Sequence, residues 1–393
     1  MSVSQGSTNM WVKVEFNGIA ALSKRKFNPQ KEANDRLCVE LEHIEKETGR
    51  LLGTINSAGQ LSTKNAFRTG DVLFGKLRPN LRKYIHCDFD GVCSSEIWVL
   101  NAQKKTNSHF LFYLIQQEKF IRSACITSGS KMPRADWAVV SEVPFPLPPL
   151  PEQKAIADLL STWDEAIEKT ERLIQAKEKR FKRLLHDLIY LPTKEGKWKQ
   201  IKTKSLFKER KENKRGDLPL LSITNGEGVI PREDTNRKDT SNEDKSKYLR
   251  ICPGDIGYNT MRMWQGVSAL SSLEGIVSPA YTICIPGEKL CPLFVAYLFK
   301  MPFMIHRFYR YSQGLTSDTW NLKFPHFSEV KMPLPSIDEQ EQIAETLSAA
   351  RQEIDLLKQL ADKYKTQKRG LMQKMLTGEW RVKPEKVKTY EEV

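Results

Sequence analysis

One glycine-containing pattern in the chain has the spacing of a phosphate site. Gly70 and the Gly75-Lys76 pair follow the GxxxxGK spacing of the loop that cradles nucleotide phosphates. Such a loop continues with Ser or Thr, whose hydroxyl binds Mg²⁺, whereas Leu77 follows here. The residues between the glycines, Val72-Leu73-Phe74, are apolar and typical of a strand. The pattern therefore predicts a strand and its turn rather than a nucleotide site.

Nuclease and metal patterns are weaker still. Asp234 with Glu243 and Lys245 supplies two acids and a lysine, but a polar run without a strand surrounds them, so a solvated loop is the better interpretation. The six histidines form no HExxH pair and the seven cysteines no CxxC. The Asn/Asp-Pro-Pro-aromatic tetrapeptide of amino-methyltransferases is also missing. The sequence predicts no catalytic residue and no metal site.

Charge favours a polyanion as partner. Lys and Arg number 62 against 48 Asp and Glu, a net charge of +14, and a chain this basic usually meets nucleic acid. The 393 residues suffice for two domains and connecting helices. Cysteines without a disulfide framework indicate a reducing compartment, and neither a signal peptide nor a membrane-spanning run is visible. We therefore expect a cytoplasmic protein.

An internal repeat organises the elements that would position a nucleic-acid site. The stretch PLPPLPEQKAIADLL begins at Pro146, and PLPSIDEQEQIAETL begins at Pro333, 187 positions later. Proline fixes φ and lacks an N–H, so each proline run keeps the chain extended up to a helix start. Pro151 suits the first helical position, and Ser336 with Glu339 predicts a capping box.

Both copies continue as long amphipathic helices. Apolar residues alternate at spacings of four and three, which is the seam of a helix pair. We expect about 36–38 residues in each helix, or about 55 Å, and predict that the two pack together in antiparallel orientation. The predicted pairing residues are Ile156, Leu160, Trp163, Ile167, Ile174, Phe181, Ile343, Leu347, Ile354, Leu357, Tyr364 and Leu371.

Each long helix follows a globular unit, and the second unit repeats the first. At an offset of 184 positions, Gly70-Asp71 matches Gly254-Asp255 and Arg78 matches Arg262. The segments between such positions differ, as LRPNLRKY (77–84) differs from MRMWQGVS (261–268). A shared scaffold with different surfaces favours two binding modules that read different things.

The predicted fold class is α+β, with two repeated α/β domains separated by two long helices that pair as an antiparallel coiled coil. The predicted segments are a disordered start (1–10), a first globular domain (11–145), a first helical spacer (146–191), a linker with the second globular domain (192–332), a second helical spacer (333–382) and a flexible tail (383–393).

The second helix closes with Leu-Thr-Gly-Glu-Trp-Arg at 376–381. With the doubled Pro-Leu-Pro and Glu-Gln helix start, and with two differing globular units, this arrangement resembles the DNA-specificity subunit of Type I restriction–modification enzymes. The resemblance covers Trp11 to about Arg381. The first helix departs from it where Leu191-Pro192 replaces the Thr-Gly turn.

The resemblance implies a non-catalytic subunit. Each globular unit would be a target-recognition domain that reads one half of a bipartite, asymmetric site in double-stranded DNA. The paired helices would set the spacing and dock two methyltransferase subunits, while restriction subunits translocate and cut DNA. The chain would hold no cofactor, since S-adenosylmethionine, ATP and Mg²⁺ would belong to these partners. Its place would be the bacterial or archaeal cytoplasm.

Lysine and arginine contact phosphates, while base-edge contacts specify sequence. The candidate DNA-binding residues are Lys24, Arg25, Lys26, Arg78, Arg82, Lys83, Lys131 and Arg134 in the first unit and Lys208, Arg210, Lys211, Arg262, Trp264, Gln265, Thr316 and Trp320 in the second. A solvated surface charge or a packed aromatic explains each one about as well. Arg78 and Arg262 hold equivalent positions, which favours shared phosphate or structural roles over sequence reading.

Two alternative functions stay open. In the first, the chain is the recognition region of a fused restriction–methylation enzyme, although the methylase tetrapeptide is missing. In the second it is a coiled-coil adaptor without a DNA role, against which the net charge of +14 argues.

Overall fold

The computed structural model describes residues 10–32, 34–126, 132–235, 244–316 and 319–390. These residues form two units. Unit 1 holds the described residues up to Glu171 together with those from Gln359 onwards, and unit 2 is Arg172–Lys358. Each unit therefore contains a part of both long helices. The predicted disordered start lies outside the described residues except for Met10.

The predicted pair of long helices is present. They are α5, with 36 residues, and α10, with 41, so that α10 is slightly longer than expected. In chain order the helices are α1 (Phe16–Ile19), α2 (Ser108–Leu114), α3 (Glu118–Ala124), α4 (Trp137–Ser141), α5 (Leu150–Leu185), α6 (Leu191–Lys194), α7 (Pro292–Leu298), α8 (Pro302–Tyr311), α9 (Phe324–Phe327), α10 (Ile337–Thr377) and α11 (Pro384–Lys388).

Short strands form the globular part of unit 1. They are β1 (Val12–Glu15), β2 (Ala20–Leu22), β3 (Lys26–Phe27), β4 (Leu37–Val39), β5 (Ile55–Asn56), β6 (Lys64–Phe67), β7 (Val72–Gly75), β8 (Tyr84–His86), β9 (Gly91–Cys93), β10 (Ile97–Ala102) and β11 (Pro144–Leu147). One sheet has the order β2-β10-β7-β8 and is antiparallel. A second has the order β3-β6-β9-β4-β5, in which β4 and β9 are parallel.

Unit 2 repeats the first of these sheets. Its strands are β12 (Lys199–Lys202), β13 (Phe207–Glu209), β14 (Leu221–Ile223), β15 (Val229–Pro231), β16 (Leu249–Ile251), β17 (Ile256–Asn259), β18 (Ser268–Leu270), β19 (Gly275–Val277), β20 (Tyr281–Pro286) and β21 (Lys331–Leu334). The sheet β13-β20-β17-β18 corresponds strand for strand to β2-β10-β7-β8. The rest differs, since β14 pairs with β15 and β16 with β19. The predicted α+β class with two repeated domains is confirmed.

The proline runs before both long helices are extended, as the sequence predicts, and each begins within a strand. β11 pairs antiparallel with β1, and β21 pairs in the same way with β12. Because proline cannot donate to a ladder, these two-strand pairings suit it better than the middle of a sheet. Each pairing joins the two ends of a globular part, directly before its long helix begins.

A buried glutamine fixes each helix start. The Gln153 carboxamide accepts from the backbone N–H of Asn107 (2.8 Å) and donates to the carbonyls of Lys105 (2.9 Å) and Pro148 (2.8 Å). The side chain is 1% exposed. The glutamine of the Glu-Gln pair therefore binds the helix to the loop before α2 and to its own proline run.

The second repeat makes the same three bonds. Gln340, also 1% exposed, accepts from the N–H of Cys291 (2.9 Å) and donates to the carbonyls of Lys289 (3.0 Å) and Pro335 (3.1 Å). The preceding glutamate has a matching partner in both units. Trp11 donates its indole N–H to Glu152 (3.0 Å), and Trp198 donates to Glu339 (3.1 Å).

The predicted capping box at the start of α10 forms only by half. Ser336 Oγ accepts from the N–H of Glu339 at 3.3 Å, as predicted. The Glu339 carboxylate does not complete the box, because it accepts from the Trp198 indole instead. The signature glutamate thus ties the helix to the globular part rather than to its own cap.

The helix pairing is antiparallel within each unit. In unit 1 the first part of α5 and the end of α10 share a core, in which Ile156 and Leu160 meet Met375. In unit 2 the end of α5 and the first part of α10 do the same, in which Phe181 meets Ile343 and Leu347. The start of one helix therefore lies beside the end of the other.

The predicted seam residues differ in how deeply they are buried. Ile167 (6% exposed) and Ile354 (1%) are buried, and Trp163 packs edge-on against Tyr364 with ring centroids 5.7 Å apart. Ile174 and Leu357 were expected to be buried but are only half-buried. The partly buried Leu371 packs on the core of unit 1.

Pro192 does not end the first helical segment, contrary to the sequence-based expectation. The path continues through a π-helical turn, His186–Tyr190, and through α6 to Lys194. In that wider turn the Leu191 N–H bonds to the His186 carbonyl. Pro192 then falls in the first turn of α6, where a missing N–H leaves no hydrogen bond unmade.

The tail predicted to be flexible is packed as far as Tyr390. It contains α11, and Val387 is 7% exposed. The Tyr390 hydroxyl donates to Asp158 on α5. Just before this helix, Arg381 binds the nearly buried Glu152 with Nε–Oε1 and Nη2–Oε2 distances of 2.6 and 2.7 Å. Val387 and Tyr390 therefore attach the tail to the fold; residues 391–393 lie outside the described part.

Replacing Ile167 with Asp tests the helix pairing. The change removes buried apolar surface and places a charge in the seam, so we expect the free energy of unfolding to fall by about 3–5 kcal/mol. Leu173→Asp is the matched control, since Leu173 is 43% exposed on the same helix. Denaturant unfolding measures both variants. Equal stability of Ile167→Asp and the unchanged chain would contradict the pairing.

Replacing Gln153 with Ala tests the fixed helix start. The variant loses three hydrogen bonds and leaves the Asn107 N–H and two carbonyls without their partner, and we expect a loss of about 2–4 kcal/mol. The exposed Gln373→Ala on α10 should change stability by less than about 0.5 kcal/mol. Thermal and denaturant unfolding give the comparison, and similar values for both variants would show that the glutamine is not structural.

Candidate nucleic-acid interface

Two loops that are distant in the sequence meet in each unit. In unit 1 the loop after β7 bonds to the segment before α4, through a bridge between Leu77 and Arg134 and through the Arg78 N–H to the Pro133 carbonyl (2.8 Å). In unit 2 the loop after β17 meets the segment after α8, where the Leu322 N–H donates to the Thr260 carbonyl (2.8 Å). We call each such pair of segments a loop pair. Most of the predicted DNA-binding residues lie on the two loop pairs.

The loop pair of unit 1 presents one uncommitted arginine. Arg78 is exposed and has no ion-pair partner among the described residues. Its φ of +53° and the +51° of Arg82 are left-handed, which is uncommon for a residue with a side chain. At the position equivalent to Arg82, unit 2 has Gly266 with φ +79°. Unit 1 therefore accepts some backbone strain to place an arginine there.

The other cations of this loop pair have protein partners. Arg82 pairs with Glu118 and Glu47, and Arg134 donates to Glu96 at 3.0 Å. The Lys83 ammonium donates to a backbone carbonyl, and burial lowers the pKa of this lysine. Lys131 lies outside the described residues. These contacts favour a loop-shaping role for the paired side chains and leave Arg78 as the better candidate for a phosphate contact.

The basic run 24–26 lies at the same end of its sheet as the loop pair. The Ser23 N–H bonds to the Val99 carbonyl, so Lys24 is level with the start of β10, where β7 ends. Lys24 and Lys26 are exposed beside a shallow depression, although Lys26 also donates to Asn65 at 2.6 Å.

Arg25 is committed elsewhere, because it pairs with Asp71, which is 8% exposed. Unit 2 has the same ion pair at the equivalent positions, where Arg210 binds Asp255 with Nε–Oδ2 and Nη2–Oδ1 distances of 2.7 and 3.1 Å. Asp255 is 2% exposed, and both carboxylates also accept a backbone N–H three residues earlier. A repeated, largely buried pair favours a scaffold role for both arginines over DNA contact.

Aromatic side chains dominate the loop pair of unit 2. Trp264 and Trp320 meet edge-on with centroids 5.1 Å apart, and Trp320 lies 4.9 Å from Tyr309. The Trp264 indole donates to the Met261 carbonyl (3.0 Å), which fixes the ring. Both tryptophans are half-buried and present part of a ring to solvent.

Polar candidates surround this aromatic group. Arg262, Gln265 and Thr316 are exposed, and Thr316 is hydrogen-bonded to Thr319 within its own loop. Lys208 is exposed on β13, and the exposed Lys211 lies 3.1 Å from Glu209. By register, Lys211 lies nearer to the loop pair than Lys208, since β13 runs toward the end at which β20 begins.

Sequence reasoning missed two members of this surface. Tyr309 is 43% exposed and Leu315 fully exposed beside the predicted Thr316. The signal was present in α8, which has a strongly apolar face, because Tyr309 departs from that face. Large exposed apolar side chains next to an arginine and a glutamine suit contact with bases and sugars.

Two classes of site do not appear in the described residues. No group of three His, Cys, Asp or Glu side chains is placed to hold a metal ion. No helix in the described ranges is both long and apolar enough to span a membrane.

A repeated family match accompanies this repeated geometry. The model of the Type I restriction modification DNA specificity domain matches residues 11–178 and again residues 199–365. The chain belongs to this family. The specificity subunit is the non-catalytic member of a Type I restriction–modification complex, so the prediction of a subunit without its own catalysis is confirmed.

Individual relatives carry the same family name. The specificity subunit of the Type I restriction enzyme EcoDI of Escherichia coli is 33% identical over 167 residues, which is 41% of this chain and 37% of that protein. The MjaVIII specificity subunit of Methanocaldococcus jannaschii is 26% identical over 324 residues, 75% of each chain. The aligned part thus spans little more than a third of the EcoDI subunit.

Solved structures agree in fold. The HsdS subunit from Thermoanaerobacter tengcongensis is 17% identical with a TM-score of 0.51, and the likeness covers 94% of this chain and 97% of that one. The Type I S subunit from M. genitalium is 16% identical with a TM-score of 0.57, covering 95% and 98%. The predicted fold of a specificity subunit is therefore confirmed over nearly the whole chain.

Proposed function

We propose that this specificity subunit reads a bipartite, asymmetric site in double-stranded DNA, with one half read by the loop pair of each unit. The proposal rests on one observation: the two units share a scaffold but differ in their loop pairs. The same sheet and the same Arg–Asp ion pair support both, and both present an arginine, Arg78 or Arg262. Unit 2 adds Gln265 and two tryptophans, which unit 1 lacks at its loop pair. Two different reading surfaces suit a site whose halves differ.

The remaining parts of the proposal concern the assembly. The paired helices α5 and α10 dock two methyltransferase subunits, and restriction subunits join through these. S-adenosylmethionine, ATP and Mg²⁺ are held by those partners, and this chain holds no cofactor. The complex acts in the bacterial or archaeal cytoplasm. The membership in a family of specificity subunits supports this assignment of roles.

The two equivalent arginines are proposed to contact phosphates. Arg262→Ala should weaken binding of a duplex by a similar factor whatever its sequence, and it should lower the slope of log K against log salt concentration by about 1, since one phosphate contact is lost. The same is expected for Arg78→Ala. Fluorescence anisotropy with two unrelated duplexes at several salt concentrations measures both quantities.

Arg351→Ala is the control for this experiment. Arg351 is an exposed cation on α10 that pairs with Asp355, so it carries the same charge change away from the loop pairs. A slope that falls equally in the control would mean that net charge alone matters. Unchanged affinity and slope in both loop-pair variants would remove these arginines from the interface, and duplex binding without any salt dependence would favour the adaptor alternative.

Exchange of one globular domain tests the two-half reading. Replacing residues 198–332 with the aligned region of a related subunit should change one half of the methylated sequence and leave the other half as it was. Mapping of methylated adenines made by the reconstituted complex gives the readout, with the reciprocal exchange of residues 11–145 as control. A change in both halves after either exchange would contradict modular reading.

A further inference from the structure

Part of the apolar seam is the same in both long helices. At the repeat offset of 187 positions, Ile156, Leu160 and Ile167 of α5 correspond to Ile343, Leu347 and Ile354 of α10. These three positions match, whereas Trp163, Ile174 and Phe181 of α5 correspond to Ala350, Ala361 and Lys368 of α10, so the two stripes are alike only in part. At the positions that match, a preference for α10 must come from the charges beside the seam.

The charges beside the seam are exchanged between the two repeats. In unit 1, Lys365 Nζ lies 2.7 Å from Glu171 Oε1. In unit 2, Lys358 Nζ lies 2.6 Å from Glu178 Oε1. Under the repeat offset, position 171 corresponds to 358 and position 178 corresponds to 365. The two ion pairs therefore join equivalent pairs of positions in the repeat. At each of these positions the repeat has a glutamate in α5 and a lysine in α10.

Both acids are charged at neutral pH. Glu171 is partly buried, and although burial alone would raise its pKa, the hydrogen bonds from Lys365 and Arg50 lower it. The hydrogen bond from Lys358 lowers the pKa of Glu178. Arg50 adds a third partner to the contact in unit 1, where the Glu171 side chain is 24% exposed. Glu171 is thus held by two cations, whereas Glu178, Lys358 and Lys365 pair at the exposed edge of the seam.

Pairing of like helices would bring equal charges together. In the same register, α5 against the α5 of a second copy sets Glu171 opposite Glu178, and the two-fold symmetry of such a pair makes this contact twice. For α10 against α10, Lys358 meets Lys365 twice. Arg351 would also meet Lys368, because position 351 corresponds to 164, and Asp164 lies 2.5 Å from Lys368 in unit 1.

We propose that these exchanged charges make α5 selective for α10 and exclude the α5 of a second copy. The occupant of the α5 face is therefore the other repeat helix, and the chain forms its helix pair from unlike helices only. This selectivity is separate from DNA reading and does not rest on it.

A double substitution removes the charge selectivity at these two contacts and keeps the intrachain ion pairs. In Glu178→Lys with Lys358→Glu, both intrachain positions still join opposite charges. Like helices now also meet with opposite charges, at 171 with 178 and at 358 with 365. We expect this variant to melt close to the unchanged full-length chain and to form dimers about tenfold more readily at low salt. The gain should shrink at high salt, where exposed charges are screened.

The matched control is Glu178→Gln with Lys358→Gln. It removes the same intrachain ion pair and supplies no new attraction between like helices. Differently tagged full-length chains are unfolded together, refolded by dilution, and assayed by sedimentation equilibrium and by capture through one tag. Dimers in which α5 of one chain pairs with α10 of another can form equally in every variant. The excess of dimer over the unchanged chain and over the Gln control therefore reports pairing of like helices.

Three outcomes overturn the proposal. They are equal dimerisation of the charge-exchanged variant and the unchanged chain, equal dimerisation of the exchanged variant and the Gln control, and a gain that high salt does not reduce. If the first variant fails to fold, Glu171→Lys with Lys365→Glu follows the same logic at the other copy of the contact. A tenfold excess in either charge-exchanged variant, lost at high salt, supports it.

Discussion

The structure depends on one buried side-chain amide used twice. Gln153 and Gln340 each make three hydrogen bonds, two to the loop that precedes a short helix and one to the proline run that precedes their own helix. A carboxamide has two donors and an acceptor that can bond twice, so nearly all of its capacity is used. Because every contact of a long helix follows from the direction in which it starts, this amide fixes the whole helix relative to its globular part.

In each unit the scaffold pairs its buried charges and leaves its exposed loops able to differ. Asp71 and Asp255 receive an arginine and a backbone N–H, so the buried carboxylates are satisfied. Gly70 and Gly254 precede them with φ values of +88° and +90°, which a residue with a side chain rarely adopts. With the turn and the ion pair fixed in both units, the next loop can differ without loss of the fold. This separation is what lets one scaffold carry two reading surfaces.

The sequence predicted the repeated parts because their signals depend on residues that lie close together in the chain. Proline runs, apolar spacing and the Glu-Gln pair all act within a few residues. Helices α5 and α10 appear where they were expected, each after an extended approach. Contacts between distant residues were not visible in the same way. Arg25 looked like part of a basic surface run, and only the fold brings it to Asp71, 46 positions later.

The C-terminal tail shows the same limit. Its high charge predicted flexibility, because charged segments seldom bury themselves. The fold supplies the reason for order: Tyr390 donates to Asp158 on α5, and Arg381, just before the tail, binds the carboxylate of Glu152, 229 positions away and only 3% exposed. Unit 2 has no such demand, since Glu339 is only half-buried and is served by Trp198. The side chain of Arg381 is 44% exposed, and its structural role follows from a partner that the neighbouring sequence does not reveal.

The two units also differ in how their equivalent tyrosines reach the long helices. Tyr113 donates to Asp164 at 2.8 Å, and Lys368 binds the same carboxylate, so a globular side chain and both helices meet at one charge. Tyr297 instead packs edge-on against Phe181 of α5, with ring centroids 6.2 Å apart. Charge-assisted hydrogen bonds are stronger than neutral ones and demand that every partner stay in place. The attachment of the globular part in unit 1 therefore requires α10 as well as α5, and loss of the helix pairing would loosen the reading surface of unit 1 more than that of unit 2.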